Sequence, residues 1–465
     1  MSSCNIALTM VIVFLLLLLG IGIFFTRIST SFREYVLGNQ ELHTPPLVGT
    51  LLALIYGGGR LMIGVEQIHN FGLSWVFFIL ATSVFPYWLI SWLSLRMRPF
   101  MHNLSMSESI GRVYGKYPRM VTGLANIGLA IFTISIQINV MSRSISMCID
   151  SVDRRIITIC AILILVFYAR IGGLRIITFT DVAQIFVFFI IIPFLAFSIF
   201  EATGKPKMLS LLRTKEMFAF DKLWQCEPKQ LAVFALFLSS LVVNINPPVI
   251  QKIYMSADCL QAGMVFFFTS IFSLFISVFI ILIGLYSLIA APHLLATEVW
   301  IYIMAHIAPI FKGFVVISLL TMAISTADTY LNSCCVMFSN DIVSSMMTKK
   351  PVSYNRQLRL AKVTALFVGV ITIIVSFSCS DLFSLFKFRF DCFIPIVTAP
   401  FILAILGFRG SSPTALIGMA TGLLTILSWN KWIEPATTIN GSCMAMIANG
   451  MAMMAAHYLL PKQKK

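Results

Sequence analysis

Residues 319–341 read LLTMAISTADTYLNSCCVMFSND, a stretch that is long and apolar enough to cross a lipid bilayer. Near its middle it carries four polar side chains, Ser325, Thr326, Asp328 and Thr329. Because hydrocarbon offers no water to such groups, exposure to lipid would cost several kcal/mol for each unsatisfied group. We therefore expect these side chains to face a bundle interior, a cavity or an ion path.

The composition extends this interpretation to the whole chain of 465 residues. Hydrophobic residues make up 59%, charged residues 11%, and the mean hydropathy is +0.94. These values predict a polytopic helical membrane protein with no room for a separate soluble domain. The net charge of +15 is typical of cytoplasmic loops that set orientation, so it does not indicate nucleic-acid binding.

The apolar windows predict thirteen membrane spans and one long connection, 201–230. The first span has no basic segment before it and no small-residue cleavage site after it, so we interpret it as a membrane helix and not as a signal peptide. The spans are placed at 5–25, 46–71, 73–95, 120–142, 156–168, 182–200, 231–250, 264–291, 311–337, 360–377, 382–408, 414–427 and 443–460.

The basic residues of the loops predict an N-terminus outside and a C-terminus in the cytoplasm. The compact loops favour a bacterial inner membrane. The residues that this orientation places inside are Arg96, Arg98, Arg112, Lys116, Arg119, Arg170, Arg175, Lys349, Lys350, Arg356, Arg359, Lys362, Lys462, Lys464 and Lys465.

Signatures of other functions are missing from the sequence. The ten cysteines contain no CxxC and no pairing pattern, and the six histidines have no metal-ligand spacing. There is also no P-loop for ATP-driven transport. The sequence therefore predicts neither an enzyme nor a metal centre.

Two predicted spans are interrupted in the middle of the membrane. The second contains Gly57-Gly58-Gly59, and each glycine weakens a helix by about 1 kcal/mol relative to alanine. The seventh contains Asn244-Ile245-Asn246-Pro247-Pro248, in which two amide donors are lost. Broken spans in corresponding places of two halves indicate a transporter site, where free carbonyls bind a cation and helix ends bind the solute.

Four segments resemble the sodium:solute symporter family, which includes proline, pantothenate and sugar symporters. The resemblance covers nearly the whole chain, and its Gly-Gly-Leu and Ser-Thr-Ala-Asp elements are specific when found together. The segments are 32–39 (FREYVLGN), 172–175 (GGLR) with 180–184 (TDVAQ), 248–255 (PVIQKIYM) and 325–329 (STADT).

The resemblance implies one polytopic domain over 1–465 with a LeuT-like fold of five plus five inverted-repeat helices. The ten-helix core would span 46–408, with a leading helix at 5–25 and two further helices at 414–460. It also implies a sodium site between core helices 1 and 8, and no other cofactor. Ser325 and Thr326 would supply side-chain oxygens, and Met322, Gly58 and Leu61 would supply carbonyls.

Three further residues are candidates for ion coupling: Asp181, Asp328 and Thr329. Asp181 matches a family aspartate at the cytoplasmic end of core helix 5, which the resemblance connects with ion release; alternatively, Thr180 and Asp181 cap that helix. Asp328 is the only acid in its span. It would tune the ion path, accept a proton or bond a neighbouring helix.

Arg60 and Glu66 depart from the family pattern, and charges at this depth need partners or water. Six residues apart, they do not share a helix face. For Arg60 three interpretations stay open: it replaces the sodium ion and makes transport sodium-independent or proton-coupled, it binds a solute carboxylate, or it forms an ion pair such as one with Asp328. Lys387, Arg389 and Asp391 form a second charged cluster, expected near the outer end.

The sequence thus predicts a symporter that couples sodium entry to uptake of a small polar, anionic or zwitterionic solute by alternating access. A transport-like sensor or receptor is the alternative. The expected partners are a small-molecule solute and the lipid bilayer, and the oligomeric state is left open. The candidate solute-binding residues are Gly57, Gly59, Arg60, Glu66, Gln137, Asn139, Asn244 and Asn246. The last four would otherwise join helices by hydrogen bonds.

Overall fold

The computed structural model describes residues 6–24, 32–37, 40, 42–148, 153–171, 174–203, 228–346 and 354–460. Over these residues the secondary structure is helical, without a β-strand. Several sequence features lie outside the described residues: Gly38-Asn39, Gly172-Gly173, most of the long connection (204–227), Lys349, Lys350 and the C-terminal lysines.

The first part of the chain forms eight α-helices before the helix that carries Asp181 begins, and a 3₁₀ turn, Arg98–Phe100, precedes the sixth. The helices are α1 Ile6–Phe24, α2 Phe32–Leu37, α3 Thr44–Ile55, α4 Gly58–Phe71, α5 Leu73–Ser94, α6 Met106–Tyr114, α7 Lys116–Ser146 and α8 Arg154–Ile171.

The rest of the chain continues with α9 Leu174–Thr203, α10 Pro228–Val243, α11 Pro247–Met255, α12 Cys259–Ala290, α13 Val299–Ala305, α14 Pro309–Met337, α15 Tyr354–Ser378, α16 Leu382–Phe393, α17 Ala399–Ile405, α18 Ser412–Ser428 and α19 Ser442–Leu459. Short elements complete the list: a 3₁₀ turn Ala296–Glu298, π turns Phe338–Val343, Ile394–Thr398 and Trp429–Ile433, and helical turns Ser344–Met346 and Glu434–Thr437.

Each predicted span corresponds to one helix or to one interrupted pair. Within the described residues, nine helices are long and apolar enough to cross a membrane, and the bent pair α3–α4 makes a tenth. The helix α9 begins at Leu174, eight residues before the predicted start of its span. The chain is therefore a multi-pass membrane protein, as the composition predicts.

The second interruption is stabilised by the residues that cause it. Pro247 is the first residue of α11. Its missing N–H costs no helical hydrogen bond, because the first amides of a helix have no partner within the helix. Asn246 caps α11 by accepting from the Val249 amide at 3.3 Å, and its own side-chain amide donates to the Val243 carbonyl at 3.0 Å. One asparagine therefore joins the end of α10 to the start of α11.

The helix α14, which holds most of residues 319–341, lies at the centre of the bundle. It packs against α7, α9, α1, α15 and α3. Every residue from Leu319 to Met337 is buried. The polar residues of this helix consequently face protein and not lipid, as we expect from the cost of their exposure.

Behind the core, α18 packs on the π turn Ile394–Thr398 through a glycine. A Cβ on Gly422 would meet the Pro395 carbonyl, with its carbon at 2.9 Å and the Cβ of Asn449 at 3.1 Å. The Asn449 side chain donates to that same carbonyl at 2.7 Å. The absence of a side chain at 422 therefore allows the asparagine to bind a carbonyl that the π turn leaves free.

We expect Gly422→Ala to destabilise the protein by about 1–3 kcal/mol, because the added methyl overpacks a rigid backbone contact. The measurement is thermal unfolding of the purified protein in detergent. Gly20→Ala is the matched control, since nothing lies within 4 Å of its added carbon. If Gly422→Ala melts at the wild-type temperature or above it, the packing described for α18 is wrong.

Candidate functional site

The first interruption lies where α3 ends and α4 begins. The Tyr56 amide closes α3 by donating to the Leu52 carbonyl at 2.8 Å, and Gly57 is then extended (φ −52°, ψ 153°). The two helices meet at 52°. The Gly59 amide donates to the Gln137 side chain at 3.2 Å instead of to α3. The last carbonyls of α3 are thereby released from helical hydrogen bonding.

Gly57 allows two side chains to approach this interruption closely. A Cβ at this position would lie 2.5 Å from Thr326 Oγ1 and 3.0 Å from the side-chain nitrogen of Gln137. Thr326 donates to the Ala53 carbonyl at 3.3 Å and to the Leu54 carbonyl at 3.4 Å. These long shared contacts leave the two carbonyls able to accept a further partner.

The carbonyls that face Thr326 belong to α3 and not to the residues expected from the sequence. Gly58 and Leu61 both lie in the first turns of α4, where their carbonyls point along that helix. Met322 is fully buried on α14, one turn before Thr326. The geometry at this interruption therefore presents Ala53 and Leu54 to α14.

Beside this interruption lies a set of buried charges that we call the charged cluster: Asp181, Lys252 and Asp328, with Ser325. Ser325 donates to Asp181 Oδ1 at 2.5 Å. The charges of Lys252 and Asp328 both act on Asp181. Within the described part of the chain, no hydrogen-bond partner is found for Lys252 Nζ or for either carboxylate oxygen of Asp328.

The charged cluster has an excess of one negative charge when both aspartates are ionised. Two carboxylates and one ammonium group are buried together, and burying an unpaired charge in a low-dielectric interior costs several kcal/mol. A bound monovalent cation or one proton would balance the cluster. Thr329 takes no direct part, because its hydroxyl donates to the Ser325 carbonyl of its own helix at 3.0 Å.

The alternative role of Asp181 as a helix cap is wrong. The helix α9 begins at Leu174, so Asp181 lies two turns inside it and cannot cap its first amides. Asp181 is 1% exposed and its second carboxylate oxygen has no partner in the described residues. This aspartate therefore faces α14 and α11 from the side of its helix.

A cavity of about 90 Å³ lies beside the interruption, among α3, α4, α5, α7, α10, α11, α12, α14 and α16. Its walls are mostly apolar and aromatic. Thr326 lines it, so this residue touches both the carbonyls of α3 and the cavity. The candidate solute-binding residues that line the cavity are Gly57, Gly59, Arg60, Gln137, Asn244 and Asn246.

Glu66 and Asn139 do not line the cavity. Glu66 accepts an ion pair from Arg143 at 3.2 Å, and Arg143 also donates to the Ser380 carbonyl at 2.8 Å. Asn139 donates to the Cys379 carbonyl at 3.3 Å. These contacts join α4 and α7 to the start of α16, and we call this end of the bundle the Arg143 end.

Arg60 lies in the cavity wall and forms no pair with Asp328. Its guanidinium donates to the Tyr87 hydroxyl at 3.2 Å and lies over the Tyr56 ring at 4.9 Å. Its second terminal nitrogen is buried without a partner among the described residues. An unpaired buried donor costs about 1–3 kcal/mol, which favours a partner that enters the cavity.

The second cluster expected from the sequence is divided among three places. Lys387 pairs with Glu434 at 3.1 Å, and Asp391 accepts from Asn430, Asn440 and Ser442. Arg389 instead lines the cavity, with its guanidinium over the ring of Phe386 at 4.9 Å. Lys387 and Asp391 are four residues apart and share one face of α16, whereas Arg389, two residues from each, points in a different direction.

Interhelical contacts lie at both ends of the bundle. At the Arg143 end an aromatic group of Phe71, Trp75, Phe78, Phe383 and Phe386 adds to the ion pair. At the opposite end, which we call the Arg119 end, Arg119 pairs with Asp341 at 2.8 Å and Tyr254 bonds Ser109 at 2.5 Å. Contacts between separate helices therefore join the bundle at both ends of α7.

Three functional candidates, Lys252, Arg389 and Arg143, were missed or left unassigned by the sequence analysis. Lys252 lies in an apolar segment, and the rule that selected Asp328 would also have selected it. Arg389 was noticed, but its direction depends on the rotation of α16. Arg143 directly follows the predicted end of the fourth span, and the sequence offered no partner for it.

Comparisons with known proteins agree on one family and one fold. The model of the sodium:solute symporter family matches residues 35–422. High affinity choline transporter 1 of Homo sapiens is 23% identical over 442 residues, which are 89% of this chain and 75% of that protein. The fold also matches a substrate-bound, outward-open structure of a Na⁺-coupled sialic acid symporter, which is described as revealing a novel Na⁺ site. The match covers 99% of each chain, with a TM-score of 0.78 at 14% identity. The LeuT-like fold implied by the sequence is confirmed.

We expect Arg143→Gln to open the cavity at the Arg143 end, because it removes both the charge paired with Glu66 and the bond to Ser380. The measurement is the rate at which a hydrophilic maleimide labels Ser240→Cys, a cavity-lining position, after subtraction of labelling at the native cysteines. Labelling should become several-fold faster. Lys387→Gln breaks an ion pair away from the cavity and should leave the rate unchanged; equal rates in both variants would contradict the assignment.

Proposed function

Because this chain belongs to the sodium:solute symporter family, we propose that it is a secondary active symporter that couples sodium entry to uptake of a small polar, anionic or zwitterionic solute. The proposal rests above all on one observation. The hydroxyl of Thr326 faces free carbonyls of a broken helix, beside a charged cluster that lacks one positive charge.

We place the coupling ion between α3, α9 and α14. The proposed ligands are the Ala53 and Leu54 carbonyls, the hydroxyls of Ser325 and Thr326, and a carboxylate oxygen of Asp181. Sodium is a hard cation that prefers such oxygen ligands, and broken-helix carbonyls commonly bind it in transporters. This set replaces Gly58 and Leu61 with residues at the end of α3, and it leaves Met322 as a neighbour on α14.

Charge balance supports a monovalent ion at this position. The excess of one negative charge in the charged cluster is removed by one sodium ion, whereas a divalent ion would leave an excess positive charge. Asp328 contributes to this balance through its charge, since both of its oxygens lack partners within the described residues. We propose that Asp328 acts on the ion electrostatically and not as a ligand.

We base alternating access on the interhelical contacts at the two ends of the bundle. In this mechanism the contacts at the Arg143 end and those at the Arg119 end break one at a time, so that the cavity opens to one side only. Bound sodium would join α3 to α14 and hold the broken helix in one arrangement. We propose that the N-terminus and the Arg143 end are outside, and that the Arg119 end faces the cytoplasm.

A second candidate function is favoured by Lys252. Its ammonium group is 1% exposed and acts on Asp181, so it is a cation of the chain itself beside the proposed ion position. If this ammonium entered the ion position, transport would be independent of sodium. Arg60 cannot take that role in this arrangement, because it lies with Tyr56 and Tyr87 on the cavity side.

We expect Ser325→Ala and Thr326→Ala each to raise the sodium concentration required for half-maximal effect about tenfold, a loss of about 1.4 kcal/mol in binding. Sodium binding can be measured without the solute, as the rise in melting temperature with NaCl relative to equal KCl. Ser318→Ala removes another buried hydroxyl of α14, two turns away, and should not change the response. Unchanged sodium responses in both variants would refute the ion site.

We expect Lys252→Met to separate the two candidate functions. If sodium is the coupling ion, the wild-type protein is already stabilised by NaCl over KCl, and the variant binds sodium more tightly because the cluster becomes more negative. If Lys252 replaces the ion, only the variant responds to sodium. Lys431→Met, at a lysine of the π turn Trp429–Ile433, is the control and should behave like wild type.

A further inference from the structure

We propose that the solute is a small organic acid, whose acid group binds between Arg60 and Arg389 while its apolar body lies against Trp75 and the neighbouring apolar wall. This inference gives the substrate class of the proposed symporter. It rests on the proposed function only for the statement that the bound acid is transported, because binding itself is measured without sodium or a gradient.

The cavity carries two positive charges and no negative one among the residues that line it in the described structure. Arg60 enters from α4 and Arg389 from α16, on opposite sides. Each has a buried nitrogen without a protein partner in that part of the chain: a terminal nitrogen in Arg60 and Nε in Arg389. The two guanidinium groups also lie close enough to repel each other.

Two acids on the helices that carry the arginines are engaged with other residues. Glu66 pairs with Arg143, and Asp391 accepts three hydrogen bonds from asparagine and serine side chains. The third interpretation of Arg60, a structural ion pair, therefore has no partner here. Arg60 contacts the Tyr56 ring and the neutral Tyr87 hydroxyl, and Arg389 contacts the Phe386 ring. These partners stabilise a cation much less than a carboxylate does.

An anion that enters the cavity would remove the repulsion and bind the free nitrogens together. A planar carboxylate matches the guanidinium geometry, and such charge-assisted bonds are about twice as strong as neutral ones. The same two charges disfavour a quaternary ammonium solute, even though aromatic rings of the kind that bind such cations are present. The sign of the cavity charge therefore selects an anion.

The size and the walls of the cavity restrict the anion further. Its volume of about 90 Å³ corresponds to about six to nine water-sized groups, at about 10–15 Å³ each. Away from the arginines the wall consists of apolar side chains such as Trp75, Phe78, Ile79, Ile136 and Ile280. A second acid group would be desolvated against this wall, so the geometry favours a monoacid with an apolar or aromatic body.

The test uses three molecules of equal shape and different charge: benzoate, benzamide and benzamidinium. Each is titrated into the purified full-length protein in sodium-free buffer, and binding is followed by tryptophan fluorescence, because Trp75 lines the cavity, and by the shift in melting temperature. We expect benzoate to bind at millimolar concentration or below and to raise the melting temperature. Benzamide and benzamidinium should bind at least tenfold more weakly.

Two variants assign the binding to the arginines. Arg60→Gln and Arg389→Gln should each weaken benzoate binding about ten- to hundredfold, which is the loss of a charge-assisted bond, and should reduce the preference for benzoate over benzamide. Lys387→Gln is the matched control on the same helix as Arg389; it removes a charge that is paired with Glu434 and should bind benzoate like wild type.

The outcomes are separable from those of the proposed function. Equal binding of the three molecules, no binding of benzoate up to tens of millimolar, or unchanged affinity in both arginine variants would overturn the organic-acid inference. The comparison of the three molecules on the wild-type protein decides the matter even if an arginine variant does not fold. Benzoate binding without any sodium response would contradict the sodium coupling and leave the organic-acid inference standing. A sodium response without benzoate binding would contradict the organic-acid inference and leave the sodium coupling standing.

Discussion

A helix that is interrupted inside a bilayer persists only where other groups of the protein bind its free backbone atoms. In this chain that constraint falls on Gly57 and its neighbours. Gln137 binds the Gly59 amide, and Thr326 binds the Ala53 and Leu54 carbonyls. Gly57 makes both contacts possible, because a side chain there would occupy the space that Thr326 and Gln137 fill. The contact between Thr326 of α14 and the broken helix therefore depends on this one arrangement.

The interruption also separates charges of opposite sign. On one side lies the charged cluster, which has an excess of one negative charge when both aspartates are ionised, and on the other lies a cavity with two arginines and no acid in its described lining. Thr326 touches both sides, since it bonds the carbonyls of α3 and lines the cavity. A bound cation would stabilise the arrangement of the broken helix that the anion requires for binding. A bound anion would likewise stabilise the arrangement that the cation requires. This shared dependence on one backbone segment gives a physical route to coupled transport.

Much of the site could be predicted, because membrane depth makes polar groups conspicuous. The cost of desolvation selected Ser325, Thr326 and Asp328 correctly as buried residues that face protein, and glycine and proline chemistry located both interruptions. The same reasoning assigned Arg60 to the site without its partner. It named Gly58 and Leu61, whereas the carbonyls that Thr326 bonds are those of Ala53 and Leu54, because the exact residue at which a helix ends depends on which side chains pack into the gap. It also treated Lys387, Arg389 and Asp391 as one group, although helical rotation turns Arg389 to the cavity and leaves Lys387 and Asp391 on another face of α16.

The sequence alone determined that the chain spans the membrane many times, which helices are broken, and which polar residues require partners. These conclusions need only local chemistry: transfer free energies, helix propensities and missing amide donors. Only the tertiary structure decided the partners. Asp181 and Lys252 are 71 residues apart, and Arg60 and Arg389 are further still, so no local pattern connects them. The rotation and packing of the helices set which charges balance each other and which remain free to bind an ion or a solute. The reason is that a buried charge acts over distances in space and not along the chain.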